Sequence, residues 1–213
     1  LVEVVGEQSK IRIAADFTNL VEGKVPTDFD PAKQRICIVP NQRMLDKTGK
    51  AESEAYLPFM INCTKYLLER GAKPFILLHE GAEDVVLAQR IAKAAGNIPI
   101  LQEDDSLKIK GILGLCQGML GSRFHGLVGA LSQGVPALAT GWSYKYQMLF
   151  EDYGFNEGLL DARAEMDEVK RKLNLIIDPV SRAGIKKTIL ERSAALKRST
   201  ENMWCQIFNV IES

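Results

Sequence analysis

Across 213 residues, 27 lysines and arginines balance 27 aspartates and glutamates, with 46% of residues apolar and 25% charged. That is the composition of an ordinary globular protein, and a net charge of zero gives no electrostatic pull toward nucleic acid or an anionic membrane. No apolar run approaches the roughly 20 residues that cross a bilayer, and the four cysteines (Cys37, Cys63, Cys116, Cys205) make no CxxC pair that would suggest zinc or a disulfide scaffold.

The chain starts at Leu1 and alternates loosely between apolar and polar residues to Ile13, a strand that exits into a polar loop at Asp16. Residues 1–20 read as a leading strand or as the end of a truncated N-terminal domain. Val21–Lys33 carries Gly23, Pro26 and Pro31 among charges with no periodicity, which marks residues 21–35 as a linker or surface loop. Ile36–Pro40 is then a β-branched run of the kind found in buried parallel strands, with Asn41, Gln42 and Arg43 at its carboxyl end. Ser53–Arg70 follows as a helix with Leu57, Ile61, Leu67 and Leu68 on one face, ended by Gly71 and Pro74. Phe75–Leu78 is a second buried strand closing on His79 and Glu80, and Glu83–Ala95 is the next helix. Ile98–Leu101 reads as a short strand and Leu107–Cys116 as a short helix. This alternation predicts an α/β domain over residues 36–180, a Rossmann-like parallel sheet with helices on both faces.

The sharpest chemistry lies in Met119–Lys145. After an apolar entry, Arg123 and His125 stand two residues apart at a strand's carboxyl end, where a parallel sheet meets its ligand. If extended, both side chains point into the same crevice. A small-residue helix (Gly126 to Gln133), a turn at Gly134, a strand at Val135–Ala139 and a loop with Trp142, Tyr144 and Lys145 complete the stretch. A cation, an imidazole and a helix N-terminus converge, which favours an anion. The same pair could instead anchor the sheet end through backbone carbonyls. Lys145 fits a ligand contact or a solvated surface lysine, His79 a substrate contact or a loop histidine, and Tyr144 and Trp142 a cleft wall or a core cap. Arg43 reads as a surface charge or a second anion contact, and Cys116 as inert core.

Further on, Tyr146–Tyr153 is a helix ended by Gly154, Leu159–Leu160 a minor strand, and Met166–Leu175 another helix. Lys170–Lys172 and Lys186–Lys187 read as solvated helix faces. Residues 181–213 form a long amphipathic helix, with Ile185, Ile189, Leu196, Met203, Ile207 and Val210 on one face. Its end is apolar enough that Trp204, Phe208 and Ile211 are expected to dock onto a partner region.

Arg123-Phe124-His125-Gly126, followed by Ala130, Gly134-Val135-Pro136 and Tyr144-Lys145, resembles the polysaccharide pyruvyl transferase family. His79, Asp84 and Asp16-Phe17 extend the likeness, which runs from about Ile11 to Tyr153. The resemblance implies the C-terminal, donor-binding half of a GT-B fold, with the acceptor-binding N-terminal domain missing and this half inactive alone. It also implies transfer of pyruvate from phosphoenolpyruvate onto a saccharide or lipid-linked oligosaccharide, as a ketal, in cell-surface polysaccharide biosynthesis. The place would be the cytoplasm or the inner face of the membrane. His125 would be the general acid/base, since imidazole titrates near working pH. Arg123, Gly126, Lys145, Tyr144 and His79 would bind the donor, arginine being suited to phosphate or carboxylate. Phosphoenolpyruvate is a substrate, so no cofactor is expected, and no cluster at ligand spacing suggests a metal. Two other readings stay open. One is a nucleotide-sugar glycosyltransferase or epimerase, with Glu151 nearest to a ribose-binding acid; the other is a non-catalytic binding domain.

Overall fold

The β-branched run at Ile36 forms β1 (Ile36–Val39), buried along its whole length. It lies at the centre of the sheet in a computed structural model that describes residues 13–78, 81–141 and 143–212. β2 (Pro74–Leu78), β3 (Ile100–Gln102), β4 (Gly118–Gly121) and β5 (Ala137–Ala139) join it in the order β3-β2-β1-β4-β5. Every pairing is parallel. β1, β2, β4 and β5 are buried throughout, as strands covered on both faces must be. β3 is a short edge strand and stays partly exposed.

A short helical turn, α1 (Arg43–Asp46), follows β1 and leads into α2 (Lys50–Glu69). This helix starts ahead of the expected Ser53 and carries Pro58 in its interior without ending there. α3 (Ala82–Ala94), α4 (Ser106–Leu115) and α5 (Phe124–Leu131) connect the remaining strands. α2 packs on α3, and α4 on α5. Right-handed crossovers put these two pairs on opposite faces of the sheet. The chain therefore winds outward from β1 to β3, then returns to the other flank of β1 with β4. Ligands of doubly wound sheets bind where the order reverses, outside the carboxyl ends of the central strands. Here that place is between β1 and β4, whose last residues Val39 and Gly121 are Cα partners.

After β5 come α6 (Tyr144–Asp152), a 3-10 turn at Asn156–Gly158, α7 (Met166–Ile177) and α8 (Pro179–Ile211). The minor strand expected at Leu159–Leu160 is reduced to a single parallel bridge between Ala139 and Leu159. α6 begins two residues earlier than expected because the Ser143 hydroxyl caps it, so Tyr144 and Lys145 belong to a helix rather than to a loop. α8 is capped by Asp178, which accepts the Ser181 N–H at 2.8 Å, with Pro179 in its first turn. Its 33 residues extend roughly 50 Å.

The segment expected as a linker is strapped onto α4. The Lys24 N–H donates to the Leu107 carbonyl at 2.8 Å. A Cβ on Gly23 would stand 2.4 Å from the Gly111 nitrogen, so glycine is needed at this approach. Just before it, a 3-10 turn (Phe17–Leu20) sits against α8 and α5. Asn19 Nδ2 donates to the Thr200 hydroxyl at 3.0 Å, and Phe17 meets Trp204 edge to face with centroids 5.7 Å apart. Trp204 thus finds a neighbour within the chain, while Phe208 and Ile211 remain 54% and 72% exposed. Most of the first strand expected over Leu1–Ile13 lies outside the described residues. Among the described residues no helix is long and apolar enough to cross a membrane.

Candidate active site

At the reversal point the chain leaves β1 through Pro40-Asn41-Gln42 and leaves β4 through Ser122-Arg123. These exits are tied together by a buried polar network. Asn41 Nδ2 donates to the Ser122 carbonyl at 2.9 Å, and the Asn41 N–H donates to the Tyr56 hydroxyl at 3.1 Å. The Tyr56 and Ser122 hydroxyls are 2.9 Å apart, and the Ser122 hydroxyl is 2.7 Å from that of Thr140, just past β5. From α6 the Tyr146 hydroxyl donates to the Ser122 carbonyl at 2.8 Å. Asn41, Tyr56, Ser122, Thr140 and Tyr146 are all buried. Burial pushes the Tyr146 phenol up to about 12, against the opposing charge of Arg123, and raises that of Tyr56 as well. Both phenols stay neutral, that of Tyr146 as a donor and that of Tyr56 as the acceptor of the Asn41 N–H.

Asp84, in the first turn of α3, is the second anchor. Its carboxylate accepts the Gln42 N–H at 2.9 Å and the Arg123 Nε–H at 3.0 Å, with a further bond from Arg123 Nη2. The aspartate side chain is 2% exposed and the arginine side chain 19%. The carboxylate therefore fixes the guanidinium plane at the crevice and ties the exits of β1 and β4 to α3.

The expectation that Arg123 and His125 point the same way is overturned. Arg123 is extended, but the helix starts at Phe124, not Gly126, so His125 already follows a helical turn. The two side chains diverge. Arg123 runs to Asp84, while His125 turns toward the Phe17–Leu20 turn, its Nε2 standing 3.7 Å from Asp16 Oδ2. The imidazole is accessible, with its side chain 61% exposed.

Phe124 lies between the candidate groups. Its ring has the His125 ring at 5.6 Å and the Tyr146 ring at 5.9 Å, both edge to face, and the Lys145 ammonium at 4.6 Å over its face. The cation–π contact holds an otherwise exposed lysine beside the start of α5. Arg123 makes no side-chain cap there, so its side chain satisfies none of the first-turn N–H groups of α5. Gly126 is also a packing residue, since a Cβ there would lie 3.1 Å from Met119 Cε on β4.

Arg123, His125, Gly126 and Lys145 are thus brought together around one helix end. Tyr144 is 71% exposed on the outer side of α6. His79 and Trp142 lie outside the described residues. Arg43 is exposed on α1. Glu151 accepts from Gln147 at 2.8 Å on the exposed side of α6. Cys116 is buried, its thiol on the Ile112 carbonyl. A cleft of about 590 Å³ adjoins the network on its β5 side, between the α1–α2 connection, Thr140-Gly141 and Leu160–Arg163. Arg163 is paired there with Glu52 and Asp161 at 2.9 Å each.

A doubly wound parallel sheet with its polar crevice at the reversal point defines the class: a Rossmann-like domain of the kind paired in GT-B transferases. Solved structures bear this out. TarM of S. aureus, as a point mutant in complex with Fondaparinux, alpha-GlcNAc-glycerol and UDP, superposes with a TM-score of 0.54 at 13% identity over 89% of this chain and 37% of its own. A second TarM structure gives 0.53 at 14% identity over 89% of this chain and 37% of that one. The glycotransferase of kitacinnamycin gives 0.51 at 13% identity over 87% and 47%. The chain spans less than half the length of each. No curated protein matches it in sequence. The family model for polysaccharide pyruvyl transferase matches residues 4–144, and the chain belongs to that family.

Proposed function

We propose that this chain is the donor-binding part of an enzyme that transfers pyruvate from phosphoenolpyruvate to a saccharide as a cyclic ketal. The supporting observation is that Arg123, His125 and Lys145 flank the first turn of α5 at the sheet's reversal point, Arg123 and His125 on diverging sides of it, in a member of a pyruvyl transferase family. Because the Arg123–Asp84 pair is internally balanced, net positive potential for the donor comes from Lys145 and the helix N-terminus. Arg123 adds a rigid, oriented hydrogen-bond donor.

His125 gives a proton to the methylene carbon of the enol, which makes C2 electrophilic. A saccharide hydroxyl adds at C2 and surrenders its proton to the imidazole. The C2–O bond to phosphate then breaks, a second hydroxyl closes the ring, and its proton leaves with the phosphate. Asp16, 3.7 Å from Nε2, holds the imidazole in place between the two transfers.

The test is phosphate release and ketal formation by the full-length protein with phosphoenolpyruvate and a saccharide carrying two neighbouring hydroxyls. His125→Ala should abolish both and keep the thermal midpoint; undiminished turnover would refute the role. The solved neighbours are glycosyltransferases, one complexed with UDP, so nucleotide sugars are the second donor class. Stabilisation by UDP-sugars without stabilisation by phosphoenolpyruvate would replace the first reading with that one.

A further inference from the structure

Beside His125, residues of α5, α4 and the Phe17–Leu20 turn line an open groove of about 300 Å³. Lys110, His125, Thr18 and Ser106 are its polar lining residues, set beside the apolar Ile109 and Leu113. His125 and Gly129 are one helical turn apart and share the α5 face toward α4. Gly129 deepens the groove, for a Cβ there would stand 3.1 Å from Leu113 Cδ1 and 4.0 Å from Lys110 Cγ.

A lysine is seldom found so buried. Lys110 is only 8% exposed. One of its three N–H directions goes to the Thr18 carbonyl at 2.7 Å. The facing charged and titratable groups are Asp16 from the 3-10 turn, Lys197 from α8 and His125 from α5. Asp16 is turned to His125, and no carboxylate among the described residues makes an ion pair with Lys110. A buried ammonium without a carboxylate at ion-pair distance is costly unless something anionic completes it.

We propose that this groove is a subsite for the carboxylate of a three-carbon organic acid, with Lys110 as its fixed cation and Ile109 and Leu113 packing against the short apolar body. His125 stands at the boundary between this groove and the helix end where Arg123 and Lys145 gather. A donor with a phosphate at one end and a carboxylate at the other would present its middle carbons to the imidazole. The proposal rests on the reading above for the donor, while the subsite itself is defined by carboxylate chemistry and is measured without turnover. Burial and the Lys197 charge lower the Lys110 amine to about 8, so occupancy should fall as that amine loses its proton.

The measurement is the Kd for pyruvate by calorimetry on the full-length protein, wild type against Lys110→Met and Lys110→Arg, at about pH 7 and about pH 9. Methionine keeps the apolar stem and removes the charge. Expected are a loss of at least about tenfold in Lys110→Met, retention within a few-fold in Lys110→Arg, and weaker binding at the higher pH in wild type but not in the arginine variant. Pyruvate should bind and its uncharged methyl ester should not. Equal affinity in all three proteins, or equal binding of the ester, would overturn the subsite. Competition by phosphoenolpyruvate would trace the carboxylate to the donor, and competition only by a pyruvylated saccharide would trace it to the product; both support the subsite. Pyruvate binding without any transfer from phosphoenolpyruvate sinks the proposed reaction and keeps the subsite. Transfer with an unchanged KM for phosphoenolpyruvate in Lys110→Met does the reverse.

Discussion

Replacing Asp84 by Ala tests whether the crevice is held together by a buried ion pair or merely bordered by a surface one. The carboxylate accepts three hydrogen bonds, one from the Gln42 N–H and two from Arg123, with its side chain 2% exposed. Each bond to a charged group is worth about 1.5–3 kcal/mol, and removing one partner of a fully buried pair costs about 3–5 kcal/mol. The Arg123 side chain is 19% exposed and recovers some hydration, which brings the expected loss to about 3 kcal/mol. For a chain of this size that is a fall of roughly 6–12 °C in Tm. Asp84→Asn keeps an acceptor for Gln42 but loses the charge, and should fall between wild type and Asp84→Ala. Adding Arg123→Met to Asp84→Ala should cost less than the sum of the two single changes, since both remove the same bonds. Thermal melts at about 0.1 M and about 1 M salt complete the assay, because a buried pair is little screened. A drop under about 1 kcal/mol, or one that vanishes in high salt, would place the pair among surface bridges and refute the reasoning.

Tyr146→Phe should cost about 1 kcal/mol in chemical denaturation, because the Ser122 carbonyl keeps its bond from Asn41 Nδ2; a loss above about 3 kcal/mol would mean the network acts as one unit. Burial raises the phenols of Tyr146, Tyr56 and Tyr153 above their ordinary 10.0, that of Tyr146 to about 12. The folded state then holds protons that the unfolded chain releases, so this stabilisation is complete below pH 10.0 and is lost as pH climbs through about 12; flat stability across that window would contradict their burial. Gly23→Ala should destabilise by about 1–3 kcal/mol and expose residues 24–33 to proteolysis, because the new Cβ meets the α4 backbone; wild-type cleavage rates would show that the strap is loose. Lys145→Met should raise the KM for phosphoenolpyruvate roughly tenfold with little change in Tm, since the lysine is exposed and its cation–π contacts with Phe124 and Tyr146 are worth about 0.5–1 kcal/mol each; an unchanged KM would put the donor elsewhere.

The sheet was legible because its signals are local. Ile36–Val39 and Phe75–Leu78 are continuous apolar runs that only a strand covered on both faces can use, and the helices that follow them, α2 and α3, carry their own stops, Gly71 and Gly96, both at positive φ. Boundaries slipped where capping decides them. Ser143 and Asp178 start helices through one side-chain bond each, and Ser143 moved Tyr144 and Lys145 from a loop to a helix. The strap at Lys24 was not legible because its partner, the Leu107 carbonyl, is remote in sequence.

At the site, residue types were legible and directions were not. Whether Arg123 and His125 share a side depends on the backbone of Phe124 alone: extended, they converge; helical, they part. The entry into α5 is helical because Gly126 and the small residues after it let the helix settle against Met119. The divergence has a chemical consequence. An arginine and a histidine aimed at one point would compete for the same anionic group. Parted, they address two places, with Arg123 bound to Asp84 at the sheet edge and His125 over the groove that holds Lys110. A donor with two anionic ends and a reactive carbon between them needs cations at its ends and a proton-transfer group at its middle. In the proposed reaction that division of labour follows from Phe124 being the first helical residue, and any substitution that returns Phe124 to an extended conformation should abolish transfer while leaving every candidate side chain in the sequence.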